Sequence, residues 1–145
     1  MPVINFFEED IKFKLPQKTK IRNWIKIVVQ KEGANISEVN YIFCSDPYLR
    51  QVNIDYLQHD YFTDIITFDN SEEEGTLEGD IFISIDRIRE NSSDFSDSFD
   101  QELRRVVIHG VLHLLGYRDK SDDEQTQMRQ KEDQYLSLYA SLNQS

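Results

Sequence analysis

The stretch from Val106 to Asp119 reads VVIHGVLHLLGYRD, and its two histidines stand four residues apart in an apolar run. At 3.6 residues per helical turn, His109 and His113 fall about 40° apart on one helix face. Their Cβ atoms then lie roughly 5–6 Å apart, close enough for both imidazoles to reach one ion at the roughly 2.0–2.1 Å of a zinc–nitrogen bond. Gly116 tolerates the left-handed conformation that ends many helices, so the chain can turn there and bring the carboxylate of Asp119 back toward the two rings. Two nitrogens and one carboxylate, with a fourth position left for water, make a catalytic rather than a structural metal site. The competing reading is a pair of core histidines satisfied by hydrogen bonds. Against it, these are two of only three histidines in the chain, and burying both in so apolar a run without a ligand or partners costs desolvation.

A divalent ion held by three side chains can acidify a bound water toward neutral pH and polarise a phosphoryl oxygen, so hydrolysis is the default reaction class. No general base can be named. The residue after the first histidine is Gly110 rather than the glutamate of HExxH peptidases, which counts against a zinc peptidase without excluding one. Two neutral imidazoles and one carboxylate leave a divalent site at about +1, so its water is less acidified than at a three-histidine site and hard ions are better tolerated. Zn2+ is the first expectation, one per chain, with Mn2+ or Fe2+ behind it.

The elements that must position these groups can be read in order. Val3 to Phe7 alternates loosely and is a weak strand candidate, and Pro16 breaks what precedes it. From Gln17 to Glu32 the pattern is helical, with Ile21, Trp24, Ile25 and Val28 on the core face, Lys18, Arg22 and Lys26 on a solvated one, and Gly33 as terminator. Val39 to Cys44 reads as a strand, with Cys44 a small buried hydrophobe rather than a nucleophile. Asp46 and Pro47 look like an N-cap and first helical residue for a helix to about Leu57, with Tyr48, Leu49, Val52 and Tyr56 inward. His59 follows in an exposed turn. Ile65 to Phe68 and Ile81 to Ile85 form strands joined by the acidic loop DNSEEEGTLEG. Asp86 can cap a short helix DRIREN, and the polar segment SSDFSDSF leads to the histidine helix, which starts near Phe99. Ser121 and Glu124 form a capping box for a last helix through Met128, Leu136 and Tyr139, which can cover the core. The order predicts an α/β or α+β layer of three or four strands with about five helices.

Composition bounds the answer. At 145 residues the chain fits one domain, 1–145, around one core, and 39% apolar with 30% charged residues suits a soluble globular protein. The lone Cys44 forbids an intrachain disulfide and fits a reducing compartment, and no stretch approaches a membrane span or a signal peptide, so a cytoplasmic protein is expected. A net charge of −11 repels phosphates overall, yet seven of the sixteen basic residues precede position 32 against three acidic ones, so an RNA-facing surface is more plausible on the N-terminal side together with the metal.

HGVLHLLGY followed by a ligand residue, with the acidic segment DDEQTQMRQKE after it, resembles the YbeY family of bacterial endoribonucleases. Upstream, VNIDY, TDIITF and LEGDIFIS stand in the order and spacing of that family's LN, TDVLSF and GDI segments, so the likeness covers roughly Val52 to Glu132. It implies a small mixed sheet with helices packed on it, a metal in a cleft, and single-strand-specific cleavage of RNA in ribosomal RNA maturation and ribosome quality control. The implied partners are ribosomal RNA and ribosome-associated proteins, with no membrane and no DNA.

Two departures stand out. The family pattern ends HLLGYDH with a third histidine ligand, whereas here Tyr117, Arg118 and Asp119 follow, so the resemblance gives His109, His113 and Asp119 as the metal set. The family also carries an arginine after the aromatic of its LN segment, serving catalysis or RNA contact, where this chain has Leu57. Arg118 puts a positive charge beside the site and can replace part of what Leu57 lacks. On that reading Arg118→Ala lowers RNA cleavage more than metal content, and equal losses would argue for mere surface exposure. Three functions are therefore weighed: the endoribonuclease, a metallohydrolase of another substrate such as a peptide, and a catalytically weakened ribosome-associated metal-binding module.

Overall fold

The structure is a computed structural model that describes residues 2–94 and 98–142. Its elements run β1 (Val3–Glu8), α1 (Lys18–Lys31), β2 (Asn35–Cys44), α2 (Asp46–Leu57), β3 (Ile65–Asp69), β4 (Thr76–Ser84), α3 (Ile85–Asp94), α4 (Phe99–Leu114) and α5 (Asp122–Ser141). The four strands form one mixed sheet in the order β1-β2-β4-β3, with β1, β2 and β4 parallel and β3 antiparallel to β4. Parallel neighbours need a crossover rather than a hairpin, and α1 supplies it between β1 and β2. The expected α+β sheet with five helices is present. Among the described residues no helix is long and apolar enough to cross a membrane.

Strand alternation sorts the side chains onto two faces. Val39, Tyr41 and Phe43 of β2 and Ile81 and Ile83 of β4 join the main core, with Tyr41 opposite Ile81 and Phe43 opposite Ile83. Ile21, Trp24, Ile25, Val28 and Val29 of α1 pack there, as do Leu103, Val107, Ile108, Val111 and Leu112 of α4 and Tyr135 and Tyr139 of α5. Two of its buried polar groups pair with backbone, Trp24 Nε1 donating to the Tyr135 carbonyl at 2.8 Å and the Tyr41 hydroxyl to the Val107 carbonyl at 2.9 Å. Under α2 a second cluster gathers Cys44, Leu49, Val52 and Ile66. Burial pushes the Cys44 thiol up to about 12, which fits an inert core sulfur. The same face carries an amide and carboxylate ladder from Asn5 through Asn40 to Asp80.

Several boundaries differ from the sequence reading, each for a local reason. β2 begins at Asn35 rather than Val39, because a register irregularity between Ile36 and Glu38 interrupts the alternation. β4 begins at Thr76 rather than Ile81, and its alternation runs through Leu77 and Gly79, where a glycine disguises an inward position. A Cβ on Gly79 would lie 2.4 Å from the Phe68 carbonyl oxygen, so no side chain fits between β3 and β4 there. The cap of α2 is Ser45, whose hydroxyl accepts the Tyr48 N–H, while Asp46 is already helical and binds the Ser84 hydroxyl and Arg87. Tyr56 is 71% exposed instead of inward. Asp86 accepts the Asp46 N–H, leaving Ser84 to accept the Arg87 N–H at the start of α3. α3 extends to Asp94 and so absorbs part of the polar segment after Asn91, of which residues 95–97 lie outside the described ones.

α4 is the helix on which the site depends. Ser98 caps it, accepting the Gln101 N–H, and Asp100 and Glu102 favour its positive N-terminus. Residues 106–108, 110–112 and 114 are buried, so apolar groups surround most of its last three turns, as a helix sandwiched between a sheet and α5 requires. A Cβ on Gly110 would sit 2.9 Å from Ile81 Cγ2 and 3.1 Å from Ile65 Cδ1, so α4 rests directly on the sheet at that residue. Overpacking by a single methyl there costs about 1–3 kcal/mol. A glutamate cannot be accommodated, which gives a physical reason for the missing HExxH base.

Candidate metal centre

α4 ends in a Schellman motif built on Gly116, whose φ of +106° suits only glycine. The Gly116 N–H donates to the His113 carbonyl and the Tyr117 N–H to the Leu112 carbonyl, both at 3.0 Å. The chain reverses at this point. Asp119 Oδ2 then lies 3.3 Å from His109 Nε2 and 3.4 Å from His113 Nε2, and the two Nε2 atoms are 2.9 Å apart. Four ligands in a tetrahedron at 2.0–2.1 Å from zinc are about 3.3 Å from one another. The two aspartate edges match that spacing, and the edge between the rings is a little short of it.

The other ring nitrogens decide which lone pairs face this point. His113 Nδ1 lies 3.0 Å from the Tyr117 carbonyl oxygen, which can only accept, so Nδ1 carries the proton and Nε2 keeps its lone pair. His109 Nδ1 lies 2.6 Å from Glu132 Oε2, with the same consequence. With both rings neutral, two imidazole lone pairs and a carboxylate oxygen converge, an arrangement that a cation satisfies. Burial opposes charge on His109, but the hydrogen bond to Glu132 and the carboxylates of Glu132 and Asp119 carry its pKa above the ordinary value. Burial and the neighbouring His109 push His113 the other way.

Each lock is itself held. Glu132 lies on α5, its side chain 6% exposed, and its second oxygen accepts Arg105 Nη1 at 2.9 Å while Asp133 takes Arg105 Nη2 at 2.8 Å. The Tyr117 hydroxyl donates to Glu32 Oε1 at 2.6 Å, and Glu32 Oε2 accepts from Lys131 at 3.1 Å and from the Tyr135 hydroxyl. Burial alone would raise the Glu32 pKa, yet these three donors outweigh it and hold it below the usual carboxylate range. Through Tyr117 and Glu132, both histidines are therefore registered against α5.

Neither glutamate was singled out from sequence. A usable signal existed for Glu132, which stands four residues from both Met128 and Leu136 on the apolar face of its helix, where a charge needs a partner. Asp64 was missed as well. It lines the cleft with His109, His113 and Asp119, and burial pushes its pKa up, so it can hold a proton nearer neutrality than an exposed aspartate.

That cleft has a volume of about 410 Å³ and is also lined by Asn53, Leu57 and Tyr61. Leu57 therefore stands at the site rather than away from it. Arg118 is exposed and is not among the lining residues. His59 is exposed, its ring stacked on Tyr61 with centroids 5.3 Å apart.

Comparison with known proteins places these features in context. Residues 3–140 match the family described as Endoribonuclease YbeY. The protein of that name from Cytophaga hutchinsonii is 55% identical over 135 residues, covering 93% of this chain and 94% of the relative. Its namesake from Amoebophilus asiaticus is 49% identical over 138 residues, with 94% of each covered. A solution structure from Thermotoga maritima superposes with a TM-score of 0.68 at 28% identity, over 94% of this chain and 89% of that one.

Proposed function

We infer that this chain, which belongs to the YbeY endoribonuclease family, is a metal-dependent, single-strand-specific endoribonuclease of ribosomal RNA maturation and ribosome quality control. The observation that carries this reading is the meeting of His109 Nε2, His113 Nε2 and Asp119 Oδ2 at 2.9–3.4 Å on the wall of an open cleft. These are the three protein ligands of a catalytic site, with room for a fourth from solvent or substrate. Zn2+ suits two imidazoles and a carboxylate best, and the carboxylate makes Mn2+ or Fe2+ acceptable replacements. A divalent ion supplies Lewis acidity to a phosphoryl oxygen and brings the pKa of a water toward neutrality.

The chain's own residues do the rest. Glu132 and the Tyr117 carbonyl keep both Nδ1 protons in place, so the rings cannot rotate or change tautomer. Asp64, in the same cleft, is the carboxyl we assign to proton transfer. Gly110 leaves no room for the peptidase base, which weakens the peptide reading. Arg118, exposed near Asp119, would act on phosphates outside the cleft rather than at the scissile one. A single domain in the cytoplasm, acting on ribosomal RNA with ribosome-associated proteins as partners, completes the reading.

Metal-loaded protein is expected to cut a labelled single-stranded RNA, to spare its duplex, and to leave casein intact, with chelation abolishing the cut. Digestion of casein instead would overturn the assignment. Leu57 favours a second reading, since it lines the cleft in place of the arginine that the resemblance implies. Ribosome binding without any RNA cleavage would select that weakened metal-binding module.

A further inference from the structure

We propose that the segment from Tyr56 to Phe62, the end of α2 and the loop after it, is a stacking platform that takes an unpaired base of the RNA strand on the Tyr61 ring, beside the metal cleft. The proposal rests on the endoribonuclease reading for the identity of the strand, and on the following geometry for the site. Among the described residues the exposed large apolar side chains are Val3, Phe7, Tyr56, Leu57, Tyr61 and Phe62, so four of the six fall in this one segment, Tyr56 and Leu57 at the end of α2 and Tyr61 and Phe62 in the loop after it. Soluble proteins rarely leave such rings clustered without a ligand to cover them. Tyr61 and Leu57 also line the cleft that holds His109, His113 and Asp119, so the patch is continuous with the reaction site.

The loop is fixed before anything binds. The Asn53 side chain is buried at 1% exposure, and its amide nitrogen donates to the Tyr61 carbonyl at 3.2 Å. The Asn53 carbonyl accepts the His59 N–H at 3.2 Å, and Arg50 Nε bonds Asp60 at 2.7 Å. His59 lies nearly parallel to Tyr61 at 19°, with the Tyr61 hydroxyl 3.1 Å from its Nδ1, so Tyr61 is backed on one side by an aromatic ring. Rings held this way lose little freedom when a base joins the stack.

Charge points to ring faces rather than to phosphate contacts. The two arginines against Phe62, Arg50 and Arg87, are paired with Asp60 and Asp46, and both guanidinium groups lie 5.5 Å from its ring centroid. Stacking on an aromatic ring is tolerant of base identity and requires an unpaired base, which ties the platform to single-strand preference. It also offers a physical substitute for the cation absent at Leu57.

The test follows cleavage by the zinc-loaded protein and photo-crosslinking of a short single-stranded RNA that carries iodouridine. Tyr61→Ala is expected to raise KM roughly tenfold, within the range of one lost base stack, with kcat and zinc content little changed. Tyr61→Phe should restore the parent KM. An RNA with one base removed at the stacked position should lose the same factor with the parent protein and nothing further with Tyr61→Ala. Crosslinks should fall on Tyr61 or His59. An unchanged KM in Tyr61→Ala, or additive losses with the abasic strand, would overturn the platform. So would a dimer that the same variant dissolves, because the patch would then belong to a second copy. If the parent cuts no RNA at all, the endoribonuclease reading fails, and the crosslinks still decide the platform: adducts on Tyr61 or His59 support it and adducts elsewhere or none overturn it.

Discussion

His113→Ala is expected to yield a folded protein that no longer retains zinc and that cleaves single-stranded RNA at least roughly a thousandfold more slowly. The figure converts the several kcal/mol of transition-state stabilisation a metal supplies, about 4 kcal/mol at 1.36 kcal/mol per factor of ten. The fold survives because the imidazole is partly exposed, 27% for the side chain, and contributes one hydrogen bond to the Tyr117 carbonyl. Losing that bond costs only about 1 kcal/mol. The Schellman turn itself is made by backbone groups of Gly116 and Tyr117, so Asp119 stays near His109. Two ligands remain, His109 and Asp119, and two rarely hold zinc in competition with water. Elemental analysis, circular dichroism and RNA cleavage on one preparation check all three statements. Full zinc content and undiminished cleavage in the folded variant would remove the metal centre from the mechanism. The parent protein should also lose thermal stability on chelation, since a ligand at a thousand times its Kd adds about 4 kcal/mol to the folded state.

The site was legible from sequence to the extent that its parts are local. His109 and His113 are one helical turn apart, and Gly116 announces the reversal that brings Asp119 to them, so spacing and turn chemistry suffice. The capping box of α5 and the glycine stop of α1 are local in the same way. What escaped reading is long-range. Glu132 reaches His109 across 23 positions and Glu32 reaches Tyr117 across 85, and no periodicity within one element reports a partner on another. Sheet order escaped for the same reason: β4 inserts between β2 and β3, and propensity carries no information about neighbours. In β4 the alternation is intact, but Gly79 stands at an inward position, set by the closeness of the Phe68 carbonyl and not by hydropathy. The exposed Tyr56 shows the converse. Its aromatic character suggested the core, whereas its ring lies edge-on to Phe68 at the rim, 5.7 Å between centroids.

Glu132→Gln should weaken zinc binding by about 10–100-fold, the range seen when the outer partner of a metal-bound histidine is lost. The reason lies in its two oxygens, each of which accepts from a different donor: Oε1 from Arg105 and Oε2 from His109 Nδ1. A glutamine has one oxygen and one NH2 group, so one of the two donors must face another donor. If the oxygen stays with Arg105, His109 relieves the clash by moving its proton to Nε2, where Nδ1 can accept from the new amide. That proton then points at the ion, and the ligand is gone. If the oxygen turns to His109, the tautomer survives but Arg105, 15% exposed, keeps Asp133 as its remaining anion. Glu132→Ala removes both acceptors and should cost roughly 3 kcal/mol of stability, the low end for breaking a buried charge pair because Asp133 persists. The glutamine variant separates positioning from folding. Zinc competition against a chelator of known affinity gives the binding loss, and nitrogen-15 spectra of the His109 ring report which nitrogen carries the proton. A Glu132→Gln protein that binds zinc as tightly as its parent, with the His109 tautomer unchanged, would show that α5 covers the core without governing the ligands.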